Sequence, residues 1–170
     1  MKKLFYILAL TGVLGMSSCS KEQTQVQFEL KGKEFVLEQP TPGSNTAQLE
    51  VPFEEIKAAV EAKGGDASQI SDVKLEKVEI VAKDGNFDGF ESILLQMTTP
   101  KANLSEVAVL NPVAKGTSAA QLKTAENAEM KKYFTGENLT VVLDMNSAEG
   151  DTLKHVLLLN AVFNLSSAKK

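Results

Sequence analysis

The composition of the chain restricts the classes of function that the protein could have, before any motif is considered. Its 170 residues include 22 Asp and Glu against 18 basic residues, all lysine, for a formal net charge of −4. Without arginine the chain lacks the guanidinium groups that bind phosphate or carboxylate in a bidentate manner. Its acidic balance argues against the basic patch that nucleic acid requires. One cysteine and one histidine exclude an internal disulfide and a histidine-pair metal site, and leave little general-base chemistry. We therefore expect no nucleic-acid partner and no enzymatic activity.

The first 20 residues have the pattern of an export signal. Lys2 and Lys3 precede an uncharged, mostly apolar run over residues 4–14, about half of the ~20 residues needed to cross a bilayer. The run ends in small residues and the single cysteine, with the sequence MSSC over 16–19. This segment resembles the lipobox of bacterial lipoproteins, a family in which the cysteine is lipidated and becomes the first residue of the mature protein. The alternative is a buried N-terminal helix with a chance cysteine.

The resemblance predicts how the chain is divided and where the protein resides. It implies a signal peptide over 1–18, a lipidated tether over 19–24 that begins at Cys19, and one domain over 25–170. The membrane is then a partner through the lipid anchor, and the protein is an outer-membrane lipoprotein on the periplasmic face or the cell surface. Lys21-Glu22 resembles the acidic surface-export signal of Bacteroidota lipoproteins, although a solvated linker explains it equally well.

Alternating apolar and polar residues predict strands in the first part of the domain. This period of two covers 26–30 and 35–37, with a turn at Gly32 between them, and then 47–51 after a Pro- and Gly-rich loop. Apolar residues then recur at helical spacing from Phe53 to Val60, which predicts a short amphipathic helix.

The second part of the domain combines further strands with a second helix. Apolar residues change parity within 73–82, which indicates a bulge near Glu76-Lys77 or a late strand start. Strands follow at 93–97 and 107–109. A cap at Thr124, early acids and late lysines predict a helix over Ala125–Phe134. The segments 139–145 and 153–165 are predicted to form a hairpin, and the odd-numbered apolar residues of the second segment are the expected core.

These elements predict a mainly-β domain, an antiparallel β-sandwich that is Ig-like or jelly-roll-like, with two short helices in connections. Their order over 47–165 resembles a group of Bacteroidota lipoproteins in which a loop with two phenylalanines, here Phe87 and Phe90, joins two strands. In that group a helix ending in Lys-Tyr, here Lys132-Tyr133, precedes a final hairpin. No activity is assigned to the group, so the resemblance implies a fold and not a function.

One loop has the residues of a cation site. Asp84, Asn86 and Asp88, followed by Gly89, reproduce the first half of an EF-hand calcium loop. Position twelve, where that motif has glutamate, is Leu95. The alternative interpretation is a turn between strands, so the expected cofactor is none, with Ca²⁺ as a weaker possibility.

Two other positions have a local context of interest. Thr152 lies in an Asp-Thr-Leu tripeptide that resembles the O-glycosylation motif of Bacteroidota exported proteins. His155 follows closely, but catalysis would need a nucleophile and an orienting acid beside it. The tripeptide predicts a glycan on Thr152. For His155 we predict a structural role.

The sequence thus favours a non-enzymatic envelope lipoprotein, a structural or interaction module that contacts other envelope proteins. The alternative is a ligand-binding accessory of an uptake system, whose loops hold a glycan or Ca²⁺; a hydrolase is disfavoured. An exposed aromatic or acidic cluster at the loop ends would favour the ligand-binding function, whereas a flat apolar patch would favour a protein partner.

Overall fold

The computed structural model describes residues 22–126, 128–150 and 153–170, so the predicted signal peptide, Cys19 and Thr152 lie outside the described residues. Within them the chain is mainly β, as predicted, with eight strands and one α-helix. In chain order these are β1 Gln23–Glu38, β2 Gly43–Val51, α1 Phe53–Glu61, β3 Gly65–Ala82, β4 Phe90–Thr99, β5 Ala102–Leu110, β6 Ala119–Thr124, a 3-10 helix Met130–Tyr133, β7 Leu139–Ser147 and β8 Lys154–Lys169.

All strand pairs are antiparallel, which confirms that part of the prediction. The strand order is β1-β8-β3-β6-β5-β4-β7-β2. Between β5 and β6 the pairing is limited to Ala108 with Thr124 and Val109 with Lys123. The sheet therefore turns a corner there, and β1 and β2, its two edges, come into contact on the other side. The result is a barrel-like sandwich that is nearly closed.

The core lies between the two halves of the sheet and follows the alternation of the strands. In β8 the predicted core residues are all buried: Leu157, Leu159, Ala161, Phe163 and Leu165. β7 shows the same pattern, with every second residue from Leu139 to Ser147 buried. The period-two pattern was therefore a reliable guide to which face of a strand points inward.

The predicted first helix is confirmed and covers one end of the sandwich. Glu54 and Glu55 lie in the first turn of α1, where acidic side chains interact favourably with the helix dipole. Ile56 and Val60 are fully buried, so the apolar face of α1 packs onto the core. Gly64, with φ of +75°, turns the chain out of the helix in a conformation that favours glycine.

Bulges explain two irregularities of the sequence pattern. The predicted turn at Gly32 is wrong, because β1 runs continuously from Gln23 to Glu38. Its register with β8 shifts between Leu30 and Lys33, so two residues of β1 oppose Asn160 alone, and Asn160 Oδ1 accepts a hydrogen bond from Gly32 N–H at 3.0 Å. The predicted bulge in β3 is confirmed by a register shift between Leu75 and Lys77.

The predicted helix over Ala125–Phe134 is wrong. Thr124, its expected cap, is the last residue of β6, a strand that the sequence pattern missed. Ala125 N–H still donates to Val107 C=O at 2.9 Å, which keeps the chain extended, and only the 3-10 helix Met130–Tyr133 follows. Met130, Tyr133 and Phe134 are buried, so tertiary packing outweighs the helical charge pattern.

The predicted final hairpin is also wrong. β7 pairs with β2 and β4, whereas β8 pairs with β1 and β3. The two strands lie in opposite halves of the sandwich. Consecutive strands in sequence are therefore not neighbours at this point of the sheet.

The sandwich has two ends with different contents. At one, the proximal end, Gln23 pairs with Ala168 and Gly65 pairs with Lys169, and α1 and the 3-10 helix lie there. At the other, the distal end, Glu38 pairs with Lys154. The connections 39–42, 83–89 and 111–118 meet at the distal end with residues 148–150. Within the described ranges no helix has both the length and the apolar character to cross a bilayer.

Candidate functional site

The predicted cation loop is fastened to a second loop at the distal end. Phe87 N–H donates to Thr117 C=O at 3.0 Å, and Gly116 N–H donates to Asp88 Oδ1. Phe87 is 1% exposed, so its ring is buried in the core and holds the loop against it. Gly116 has a φ of +72°, a left-handed conformation that favours glycine. The loops 83–89 and 111–118 therefore form one unit.

The structure brings two of the three predicted ligands together. Asp88 N–H donates to Asn86 Oδ1 at 3.0 Å, and Asn86 Nδ2 donates to Asp88 Oδ2 at 3.0 Å. These reciprocal bonds are typical of Asx turns. Among the described residues no hydrogen bond joins Asp84 to Asn86 or to Asp88. The described part of the chain also contains no group of three or more Asp, Glu, His or Cys side chains that could hold a metal ion. A cation at this loop stays a prediction.

A polar cleft of about 680 Å³ opens beside this loop. Asn146 Nδ2 donates to Glu91 Oε2 at 2.8 Å, and Ser147 Oγ donates to Gly89 C=O at 2.8 Å. These two hydrogen bonds connect the end of β7 to the start of β4. The polar and charged side chains that line the cleft are Asp88, Glu91, Ser92, Asn111, Lys115, Asn146 and Glu149. Carboxylate and amide groups of this kind can exchange hydrogen bonds with hydroxyl groups or bind a cation through oxygen.

Sequence reasoning found Asp88 but missed the rest of the cleft. Glu91 and Asn146 lie on strands whose pairing the sequence does not reveal, and Asn111 lies in a separate connection. His155 borders the same end, half-buried, with its ring 5.3 Å from that of Phe90 and nearly perpendicular to it. This contact sets the position of the imidazole at the edge of the core.

A second, larger cavity lies at the proximal end. This proximal groove, of about 760 Å³, is bounded by α1, the first residues of β3 and the segment 131–136. Ile70 and Phe134 form a buried apolar floor, with half-buried Phe53 beside them. The charged side chains on its rim are Glu54, Lys57, Glu61, Asp66, Lys131 and Lys170. The groove is therefore amphipathic, with both signs of charge around an apolar base.

Ion pairs and hydrogen bonds organise the rim of the proximal groove. Lys170 Nζ lies 2.7 Å from Glu61 Oε1, and Lys57 Nζ lies 3.1 Å from Glu54 Oε2. The hydrogen bond from Lys170 and its positive charge lower the pKa of Glu61. The same hydrogen bond and the negative charge of Glu61 raise the pKa of Lys170. Hydrogen bonds from the Ser68 hydroxyl and backbone N–H lower the pKa of Asp66. Because the pKa values of Glu61 and Asp66 are lowered, both carboxylates carry charge at neutral pH.

Comparison with known proteins adds little to the site. No family model matches the chain, and no curated protein matches it. Among solved structures, a chain from the structure of Cocksfoot mottle virus aligns with this protein at a TM-score of 0.31 and 12% sequence identity. The alignment covers 100% of this chain and 97% of that chain. Likeness at this level carries no argument about function.

Proposed function

We propose that the protein is a non-enzymatic lipoprotein of the bacterial cell envelope, held to the outer membrane by lipid on Cys19 and acting as a structural or protein-interaction module. The observation that carries the proposal is the position of β1. This strand begins at Gln23, four residues after the cysteine of the lipobox-like segment, and enters the sandwich at the proximal end. A domain that follows the cysteine so closely fits the short tether of a lipoprotein.

The geometry of β1 also supports a presenting role. Its 16 residues, at about 3.3 Å each, carry the chain roughly 50 Å from the anchor end. The distal loops and their polar cleft therefore point away from the attachment point. An interaction module would use that end to contact other envelope proteins.

For the finer fold class we propose a jelly roll over the Ig-like alternative. The pairs β1–β8, β2–β7, β3–β6 and β4–β5 are all present. Together they describe one long antiparallel hairpin of four strands against four, rolled up so that β8 also meets β3 and β7 also meets β4. Two successive Greek keys of this kind are the defining connection of eight-stranded jelly rolls.

Replacement of the cysteine tests the anchor. Buried lipid contributes about 0.8 kcal/mol per CH₂, and stable attachment needs more than one chain. We expect Cys19→Ala to move the protein from the membrane to the soluble fraction and to abolish fatty-acid labelling. Ser20→Ala, one residue further on, is the matched control and should stay membrane-bound. A Cys19→Ala protein that remains labelled and membrane-bound would disprove the lipobox interpretation.

The polar cleft favours a second candidate function, ligand binding for an uptake system. Its oxygen-rich lining, with Glu91 and Asn146 already hydrogen-bonded to each other, suits a glycan or Ca²⁺. Titration of envelope oligosaccharides into the protein and a Glu91→Gln variant would test it by calorimetry. Loss of binding in the variant would support this function.

A glycan on Thr152 remains a separate prediction. The intact mass of the exported protein would test it.

A further inference from the structure

We propose that the proximal groove docks on the bilayer surface and takes up a zwitterionic phospholipid headgroup, so that the sandwich stands on its α1 end. This inference rests on the proposed lipid anchor at Cys19 and adds to it a contact surface and an orientation. The anchor alone would permit a domain that tumbles freely above the membrane.

The path of the chain places the groove next to the anchor. Gln23, the first residue of β1, pairs with Ala168, and Lys169 N–H donates to Glu22 C=O at 2.9 Å. The next residue, Lys170, lines the groove and donates its N–H to Gly64 C=O at 2.9 Å. The groove therefore lies beside the point where the tether enters the domain.

The length of the tether limits how far this end can move from the membrane. Four residue steps separate Cys19 from Gln23, and a fully extended chain spans at most about 14 Å over that distance. With lipid on Cys19 inserted in the bilayer, the start of β1 must remain at or just above the headgroups. The distal loops, roughly 50 Å further along β1, cannot reach the same surface in an upright domain.

The chemistry of the groove fits a headgroup that carries both charges. Lys131 and Asp66 both line the groove, where they can face the phosphate and the ammonium of a zwitterionic lipid, while Ile70 and Phe134 supply an apolar floor. Hydrogen bonds from Ser68 and Gln69 hold the Asp66 carboxylate in position. Because three acids and three lysines line the rim, their charges balance, and the groove offers no net attraction to anionic lipid. This balance selects a zwitterionic surface as the partner.

Headgroup quenching tests the contact directly. The full, lipidated chain is reconstituted in vesicles of phosphatidylcholine and phosphatidylethanolamine that contain a nitroxide-headgroup lipid. A fluorophore is attached to Thr135→Cys on the rim of the groove or, as the matched control, to Lys115→Cys in the distal cleft; acylated Cys19 does not react. We expect several-fold stronger quenching at position 135 than at 115. Equal quenching, or stronger quenching at 115, in vesicle-bound protein would overturn the proposal.

A lengthened tether separates docking from mere proximity. Insertion of 20 Gly and Ser residues between Ser20 and Lys21 gives a flexible linker with an average span of about 25 Å. If the groove itself binds headgroups, quenching at position 135 persists in this variant. A fall to the level seen at 115 would overturn the docking surface. Occupation of the groove by a soluble ligand or by another protein would give the same fall.

Flotation distinguishes failure of the anchor from failure of the docking surface. Each variant is first floated with its vesicles on a density gradient. Protein that does not float contradicts the lipid anchor itself, and this inference falls with it. Protein that floats but shows no preferential quenching at position 135 leaves the anchor in place and overturns the orientation alone.

Discussion

Phe134, just after the 3-10 helix, lies with its ring centre 5.3 Å from that of Phe163 on β8, at an angle of 59° between the ring planes. Phe28 on β1 completes the cluster, 6.1 Å from Phe163 and 6.5 Å from Phe134. Phe134 is also part of the floor of the proximal groove. Phe134 therefore belongs both to the aromatic core and to the base of the groove.

Removal of the central ring should destabilise the whole domain. Phe163 is fully buried, and Phe163→Ala is expected to cost about 3–5 kcal/mol through lost contacts and the cavity left behind. That is a large share of the stability of one domain. Urea unfolding measures the change. Asn164→Ala, the exposed neighbour on β8, should change stability by less than about 0.5 kcal/mol, and equal midpoints for the two variants would contradict the assigned inward face.

Gly65 at the start of β3 should not tolerate a side chain. A Cβ there would lie 2.9 Å from both Ser167 Oγ on β8 and Val60 Cγ1 on α1. We expect Gly65→Ala to cost about 1–3 kcal/mol from overpacking. Gly89→Ala is the control, because a Cβ at Gly89 meets nothing within 4 Å. If thermal melts showed the two alanine variants to be equally stable, the close packing at Gly65 would be refuted.

Asp88 should matter more than Asp84 for the distal loops. Asp88→Ala removes the acceptor for Gly116 N–H and for Asn86 Nδ2, so the melting temperature should fall by a few degrees. Asp84→Ala removes a carboxylate without touching that link and should melt close to the parent protein. Equal losses in both variants would contradict a loop fastened through Asp88.

The same variants test the predicted cation site. Binding of Ca²⁺ to the native state would raise the melting temperature of chelated parent protein, with an affinity near the millimolar range because position twelve lacks a glutamate. Both Asp84→Ala and Asp88→Ala would then lose the rise, while Mg²⁺ at equal ionic strength would have no effect. No Ca²⁺-specific rise in the parent protein would leave the loop as a turn between strands.

The proximal ion pair predicts a dependence of stability on pH. Lys170 lowers the pKa of Glu61 below its ordinary 4.5, so its stabilising contribution is present above about pH 4.5. It is lost as the pH falls through the folded-state pKa. Melting temperatures of the parent and Glu61→Gln should therefore differ at pH 7 and converge towards pH 3. A difference that stayed constant would rule out the linkage.

Local patterns in the sequence determined most of the strands, their inward faces and the first helix, although they missed β6 and divided β1 at Gly32. Alternation identified the odd-numbered residues from Leu157 to Leu165 as core, because that pattern depends on neighbours within one strand. The change of parity in β3 indicated a bulge near Glu76-Lys77 or a late strand start, and the structure shows the bulge. The lipobox-like segment, from which the proposed anchor follows, is likewise a local pattern. These features are readable because each is decided within a few residues.

Only the tertiary structure decided which strands are neighbours and where the clefts lie. The charge pattern before Tyr133 predicts a helix, but burial of Met130, Tyr133 and Phe134 in the core outweighs this local preference. The expected hairpin failed because β7 and β8 each find partners far away in sequence. Glu91 meets Asn146, and Lys170 meets Glu61, only after the sheet has rolled up. Pairing between distant strands depends on the packing of the whole domain, which no local pattern contains.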